Sequence, residues 1–313
     1  MRAVIFPGQG SQFVGMGLDF YKKFDLVKKN FKIVDDTLGY SLSEIIFNGP
    51  DNLLKLTQNT QPAIMTVGVS IFNVLNQNYG LNLNNSKYFA GHSLGEYTAL
   101  VCAGSLSLER AAYLLHERGK AMQESVPTGE GGMMAILGLS IDEVEFEINS
   151  MIEGKCEIAN DNCNGQIVVS GKKNDIDNLR ENLKKKKKKV MLLPVSAPFH
   201  CSLMKQASIK MKNKIETTDF TKLNPHIISN VTAKEESSID RIKPLLIDQI
   251  TGRVRWRESI EYMISNGVTD FLEIGPGKVL SGLVKKINKD VKISNINVLE
   301  DIKEWLILKI KIF

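Results

Sequence analysis

Gly91-His92-Ser93-Leu94-Gly95 has the residue types and spacing of a turn that presents a serine hydroxyl for nucleophilic attack. In such a turn the serine sits between the end of a strand and the start of a helix. Small residues two positions to either side are needed, because Cβ atoms there would collide. The flanks fit: Tyr88-Phe89-Ala90 reads as a short buried strand and Glu96 to Val101 as a helix start. The alternative is an ordinary glycine turn that happens to carry a serine. A serine nucleophile also needs a proton acceptor, and the chain has four histidines. His92 adjoins the serine, where a neighbouring side chain normally points away. His116 falls within a helical stretch and His226 at a strand start, positions that more often serve structure. His200, in Ser196-Ala197-Pro198-Phe199-His200-Cys201, is the best base candidate. An unperturbed imidazole there would lose activity as the pH falls through about 6.5. Cys201 is an alternative nucleophile in principle, but sequence neighbours rarely meet head-on.

An arginine on the wrong face of a helix adds a third chemical group. From Ser107, a plausible N-cap, a helix runs to about Ser125, with Arg110, Tyr113, Glu117, Lys120 and Glu124 on its polar stripe. Ala111, Leu114, Leu115 and Met122 form the apolar stripe, and Arg118 falls on it, one heptad after Ala111. A guanidinium facing a core needs an anionic partner, since an unpaired buried charge costs several kcal/mol. That partner is either a structural carboxylate, with snorkelling as a variant, or the carboxylate of a substrate held in a bidentate clamp.

The elements that must position these groups alternate. Ala3 to Phe6 is an apolar strand running into Pro7-Gly8-Gln9-Gly10-Ser11-Gln12. A dinucleotide loop would need glycine where Phe13 stands, and no GK[ST] follows, so nucleotide binding is not expected. Phe20, Phe24, Val27, Phe31 and Val34 recur at helical spacing, and Thr60-Gln61-Pro62 opens another helix. Strand, helix, strand, serine turn and helix in that order predict an α/β fold with a parallel sheet covered on both faces. From 126 to 195 the rhythm changes. Met133–Leu137, Ile141–Met151, Cys156–Ala159, Gln166–Ser170, Asp175–Leu183 and Val190–Leu193 read as βαββαβ, the ferredoxin-like order, inserted as a small subdomain. Residues 1–125 and 196–313 then make the large subdomain. Pro225 to Ser229 and Phe271 to Ile274 supply further strands, and Gly275-Pro276-Gly277 a structural turn into a helix.

Composition narrows the function classes. A 313-residue chain with 43% hydrophobic and 24% charged residues describes a soluble globular protein. Its start is too short in apolar residues for a signal peptide, and no run reaches membrane-spanning length. Cys102, Cys156, Cys163 and Cys201 have neither C-x-x-C spacing nor a disulfide framework, which suits a reducing cytoplasm, where the sequon Asn230-Val231-Thr232 would be inert. A net charge of +5 permits an acidic partner but is no nucleic-acid footprint. Lys184 to Lys189 reads as a solvated helix end, with docking of an acidic protein as the second reading. Arg253, Arg255 and Arg257, flanking Trp256, are further docking candidates. The apolar tail from Asp301, carrying Trp305, Leu306, Ile307, Leu308, Ile310, Ile312 and Phe313, is expected to pack on the body, with weak membrane adhesion the alternative.

Phe6-Pro7-Gly8-Gln9-Gly10-Ser11-Gln12, Thr60-Gln61-Pro62-Ala63, Gly91-His92-Ser93-Leu94-Gly95-Glu96, Arg118-Gly119-Lys120, Pro198-Phe199-His200 and Glu273-Ile274-Gly275-Pro276-Gly277 appear in this order. Together they resemble the malonyl-CoA:acyl-carrier-protein transacylase family over nearly the whole chain. The resemblance implies an α/β-hydrolase-like large subdomain with the ferredoxin-like insertion. It also implies transfer of malonyl from malonyl-CoA to the phosphopantetheine thiol of acyl carrier protein, supplying fatty-acid synthesis. It assigns Ser93 as nucleophile, His200 as base, the amides of Gln9 and Leu94 as oxyanion hole and Arg118 as holder of the malonyl carboxylate. Gln249 matches the residue whose backbone carbonyl orients the histidine, so Ser93 and His200 form a dyad. Phe199 matches a residue of malonyl-selective relatives. No metal or redox cofactor is implied, malonyl-CoA being a substrate, and no nucleic acid or membrane insertion; the expected protein is a cytoplasmic monomer. A trans-acting acyltransferase of polyketide synthesis would share every motif. A serine thioesterase or hydrolase would instead show an acid between the serine and a histidine near the C-terminus.

Overall fold

The structure is a computed structural model and describes residues 1–152, 154–195 and 197–310. Ser196, Ile312, Phe313 and the side chains of Leu308 and Ile310 lie outside the described residues.

The larger of two sheets contains β1 (Arg2–Phe6), β2 (Tyr88–Gly91), β7 (His226–Ile228), β8 (Glu235–Glu236), β9 (Asp270–Ile274) and β10 (Lys292–Ile296). Their order is β10-β9-β1-β2-β7-β8, parallel except for β8, which runs antiparallel to β7. The central β1 is apolar without alternation because both its faces are covered. Val4 and Phe6 enter a core that Phe72 and Phe89 share, while Ala3 and Ile5 enter a second core with Trp256, Ile260 and Leu283. The active elements follow the C-terminal ends of β1 and β2, where open parallel sheets place their ligand crevice.

The second sheet uses β3 (Gly131–Leu137), β4 (Cys156–Cys163), β5 (Gln166–Lys172) and β6 (Lys189–Leu192) in the antiparallel order β4-β5-β3-β6. Met134, Ile136 and Val169 pack against the helices Ile141–Asn149 and Lys173–Lys185, whereas Met133, Ala135 and Val168 join the main core. This sheet therefore packs on the main core rather than hanging from it. The strand β4 runs beyond Ala159 to Cys163 with two register shifts, and Asn160 forms a parallel bridge with Val254.

Two expectations are corrected. The apolar spacing from Phe20 to Val34 is divided between the helices Leu18–Lys23 and Asp25–Leu38, with Phe24 extended between them at φ −122°. The helix expected to open at Thr60-Gln61-Pro62 spans Thr57–Gln77, so Pro62 is inside it. Proline has no N–H for the carbonyl four residues back. That carbonyl, of Gln58, instead accepts from His116 Nδ1 at 3.2 Å. A tertiary contact thus compensates a helix defect and explains His116.

The lysine run ends the Lys173–Lys185 helix and leads into β6; Lys184 pairs with Glu181 and Lys186 with Glu147. The tail helix Leu299–Ile310 buries Ile302 and Trp305 on the body, with Arg2 over the Trp305 ring. Glu273, fully buried at the end of β9, accepts from Leu280 N, Ser281 N and Ser281 Oγ, which ties the Gly275-Pro276-Gly277 turn to the Val279–Ile287 helix. Among the described residues no helix is long and apolar enough to cross a membrane.

Candidate active site

Ser93 has φ +54°, the left-handed backbone that the tight turn after β2 demands. A Cβ on Gly91 would stand 1.9 Å from the carbonyl of Gly95, and one on Gly95 2.4 Å from the Phe6 oxygen. The glycine spacing is therefore a steric requirement of this turn, not a coincidence of composition. Asn230, just beyond β7, braces the turn: its Oδ1 accepts from Ser93 N at 2.7 Å and its Nδ2 donates to Gly91 O at 2.7 Å. With Asn230 1% exposed and both ends of its amide engaged, the sequon is closed to modification.

His200 also has a left-handed backbone, φ +57°, and its Nε2 lies 2.8 Å from Ser93 Oγ. Its Nδ1 faces two carbonyls, Gln249 O at 2.9 Å and Gly252 O at 3.1 Å. Carbonyls only accept, so Nδ1 carries the proton and Nε2 is the free base that accepts from the serine hydroxyl. Burial, and then the nearby Arg118 charge, pull the His200 pKa down to about 3. The expected loss of base near pH 6.5 is corrected accordingly: in the resting site the imidazole stays neutral through the ordinary imidazole range. The remaining candidates hold other contacts, although His92 still lines the same cavity as Ser93 and His200. His92 Nε2 bonds Asn162 Oδ1 at 2.9 Å, and the exposed His226 stands near Glu235. Cys201 donates to Pro198 O, and burial pushes its thiol up to about 12.

Arg118 is 1% exposed, on the face the helical periodicity indicated. Gly119 makes this possible. A Cβ there would stand 2.6 Å from backbone atoms of Gln58, so the Leu108–Glu124 helix presses directly on the Thr57–Gln77 helix. The guanidinium donates from Nη1 to Gln61 Oε1 at 2.6 Å, and from Nη2 to Gln249 Oε1 at 2.9 Å and Ser93 Oγ at 3.2 Å. Its Nε has no partner, and the Tyr97 ring lies 5.8 Å away. Among the described residues no carboxylate is within ion-pair reach of it. The expected anionic partner is thus not supplied by these residues.

Gln249 has two separate duties. Its backbone holds His200, while its side chain joins Arg118 to Glu96: Nε2 donates to Glu96 Oε2 at 2.7 Å and to Ser93 O at 3.0 Å. Glu96 is 1% exposed, and burial pushes its carboxyl up to about 7 against the opposing pull of the Asn230 amide, Gln249 and Arg118. The amides of Gln9 and Leu94 donate to no protein acceptor among the described residues. Gln9, Ser93, Leu94, Arg118, Phe199 and His200 line one cavity of about 330 Å³ between the sheets. Among the described residues no group of three or more His, Cys, Asp or Glu could hold a metal ion.

A family model described as acyl transferase domain matches residues 4–302. The chain belongs to this family. A malonyl CoA-acyl carrier protein transacylase of Bacillus subtilis is 43% identical over 293 residues, 93% of this chain and 91% of that protein. An acyl-carrier-protein-S-malonyltransferase from Bartonella henselae superposes with a TM-score of 0.94 at 46% identity, covering 98% of both chains. A malonyl-transacylase solved in complex with a type II PKS acyl-carrier protein superposes with a TM-score of 0.93 at 37% identity, covering 96% of this chain and 97% of that one.

In this acyl transferase domain, sequence reasoning left Gln61, Glu96, Asn230 and Gly252 without roles. Glu96 stands inside a recognisable motif as a charge at the head of a largely apolar stretch, a usable signal, whereas Gln61 ends the polar run Thr57 to Gln61 and does not stand out. Gly252 acts through its carbonyl and leaves no signal. The three arginines named as docking candidates are ion-paired within the chain: Arg253 with Glu145, Arg255 with Glu258, and Arg257 with Asp161 and Glu261.

Proposed function

We propose that this acyltransferase moves the malonyl group from malonyl-CoA to the phosphopantetheine thiol of acyl carrier protein, through a malonyl ester on Ser93. The observation that carries the reading is a buried arginine with no carboxylate partner among the described residues, 3.2 Å from the nucleophile's oxygen. A malonyl thioester ends in a carboxylate, and an acyl carbonyl seated at Ser93 would bring that carboxylate to Arg118. Names of the similar proteins support the same substrate pair.

The steps follow from the geometry. Ser93 Oγ attacks the thioester carbon and its proton passes to His200 Nε2. The imidazolium that forms keeps its Nδ1–H on the Gln249 and Gly252 carbonyls, while the carbonyl oxygen, now negative, takes the amides of Gln9 and Leu94. Collapse breaks the C–S bond, and His200 returns its proton to the departing CoA sulfur. The carrier thiol then attacks the ester, again with His200 as base, and Ser93 leaves with the proton. Phe199, at the cavity wall, favours the malonyl group in this reading. No metal or redox cofactor enters these steps.

The same reading takes 1–125 with 196–313 as an α/β-hydrolase-like subdomain, supported by a nucleophile turn after a parallel strand. It takes 126–195 as a ferredoxin-like insertion, supported by the βαββαβ order. A reducing cytoplasm fits four buried free thiols, and we take the protein to act there as a monomer. Intact-protein mass spectrometry after mixing with malonyl-CoA alone tests the proposal. A malonyl adduct on Ser93, lost in Ser93→Ala, is expected; an unmodified protein, or an adduct on Cys201, overturns it.

A further inference from the structure

We propose that Glu96 is a positioning residue for acyl-group selection, orienting Arg118 toward the substrate through the side-chain amide of Gln249. The inference rests on the reading of Arg118 as the carboxylate anchor. The Gln249 amide has two possible orientations, and its surroundings allow one. On one side are two acceptors, Glu96 Oε2 at 2.7 Å and Ser93 O at 3.0 Å; on the other is a donor, Arg118 Nη2 at 2.9 Å. The reverse orientation would set acceptor against two acceptors and donor against donor. Glu96 itself is held by the Asn230 backbone amide at 3.2 Å, and Asn230 also takes the Ser93 N–H. The chain Asn230–Glu96–Gln249–Arg118 therefore begins at the nucleophile's amide and ends at its hydroxyl.

The arrangement has a chemical consequence. Direct contact between Glu96 and Arg118 would neutralise the guanidinium and leave nothing for a substrate carboxylate. With a neutral amide interposed, the arginine is oriented by an acid that it does not touch. Every hydrogen bond it donates among the described residues goes to a neutral oxygen. Burial and the Arg118 charge act on the Glu96 carboxyl in opposite directions, as expected for a group placed one residue away from the cation.

The test compares kcat/KM for Ser93 acylation by malonyl-CoA and by acetyl-CoA in the full-length protein. Glu96→Met removes the acceptor while keeping similar bulk. It should lower the malonyl-to-acetyl ratio about 10- to 100-fold, the effect of one lost hydrogen bond in a charged network. Glu96→Gln retains an acceptor oxygen and should keep the ratio within a few-fold. Gln249→Met breaks the same bridge but spares the backbone carbonyl that His200 uses, and should reproduce the loss if Glu96→Met does not fold. Arg118→Ala, run beside them, separates the two ideas. If it leaves the ratio unchanged, the anchor reading itself fails. If it collapses the ratio while both methionine variants preserve it, the positioning role of Glu96 is overturned and the anchor stands. Equal loss in Glu96→Gln and Glu96→Met also overturns the hydrogen-bond bridge.

Discussion

Truncating Arg118 to alanine separates a carboxylate anchor from a structural cation. The wild-type guanidinium is 1% exposed and meets Gln61 Oε1, Gln249 Oε1 and Ser93 Oγ, all neutral. A malonyl carboxylate would complete a buried ion pair, and breaking such a pair costs about 3–5 kcal/mol. At roughly 1.4 kcal/mol per tenfold, kcat/KM for malonyl-CoA should fall about a hundred- to a few thousand-fold. Acetyl-CoA brings no carboxylate, so in the wild type it buries the guanidinium unpaired. Removing the arginine removes that penalty, and the acetyl rate should hold or rise. Stability pulls in two directions. The truncation leaves the Gln61 and Gln249 oxygens without their donor, about 1–3 kcal/mol for each buried group, and relieves the burial of an uncompensated charge. The melting temperature should therefore move little. Acylation of Ser93, followed by intact mass for both thioesters, together with thermal unfolding, gives the answer. Parallel loss of both activities with a clearly lowered melting temperature would refute the anchor.

His200→Ala should slow acylation by about 10²–10⁴-fold while the protein stays folded, because the serine loses its proton acceptor. Since burial and Arg118 hold the His200 pKa down to about 3, the neutral base persists as pH falls. Acylation kcat/KM should then show no inflection from His200 near 6.5, and the acid limb should lie well below it. Glu96, at about 7, is the other buried group able to titrate there, so the profile is best measured in both wild type and Glu96→Gln. A half-drop near 6.5 that survives in Glu96→Gln would contradict the assignment. Gly119→Ala should destabilise the fold by roughly 1–3 kcal/mol and reduce malonyl acylation, because its Cβ would meet Gln58 backbone at 2.6 Å and force the two helices apart. An unchanged melting temperature would show that the helices adjust without cost.

Short-range pattern carried much of this protein. The glycines around Ser93, the apolar stripe that takes in Arg118 and the unbroken hydrophobic run of β1 are local consequences of backbone sterics and burial, and all were legible in the sequence. Element order likewise announced a parallel sheet and a second set of strands. What the chain alone could not decide are the contacts between elements distant in sequence. The helix holding Pro62 begins earlier than its local signals suggest because His116, 58 residues from Gln58, satisfies the orphaned carbonyl. The tautomer of His200 depends on two backbone oxygens; the family resemblance pointed to the one of Gln249, but nothing in the sequence marked the one of Gly252. The electrostatic state of the site was also decided in three dimensions. Periodicity showed that Arg118 faces inward, but the fold determines that neutral oxygens surround it and that Glu96 stops one amide short. Burial then depresses one titrating group and raises another within the same site, because desolvation disfavours whichever form is charged. Sequence specified which groups could do chemistry; their protonation and their freedom to bind a substrate follow from what the folded chain packs around them.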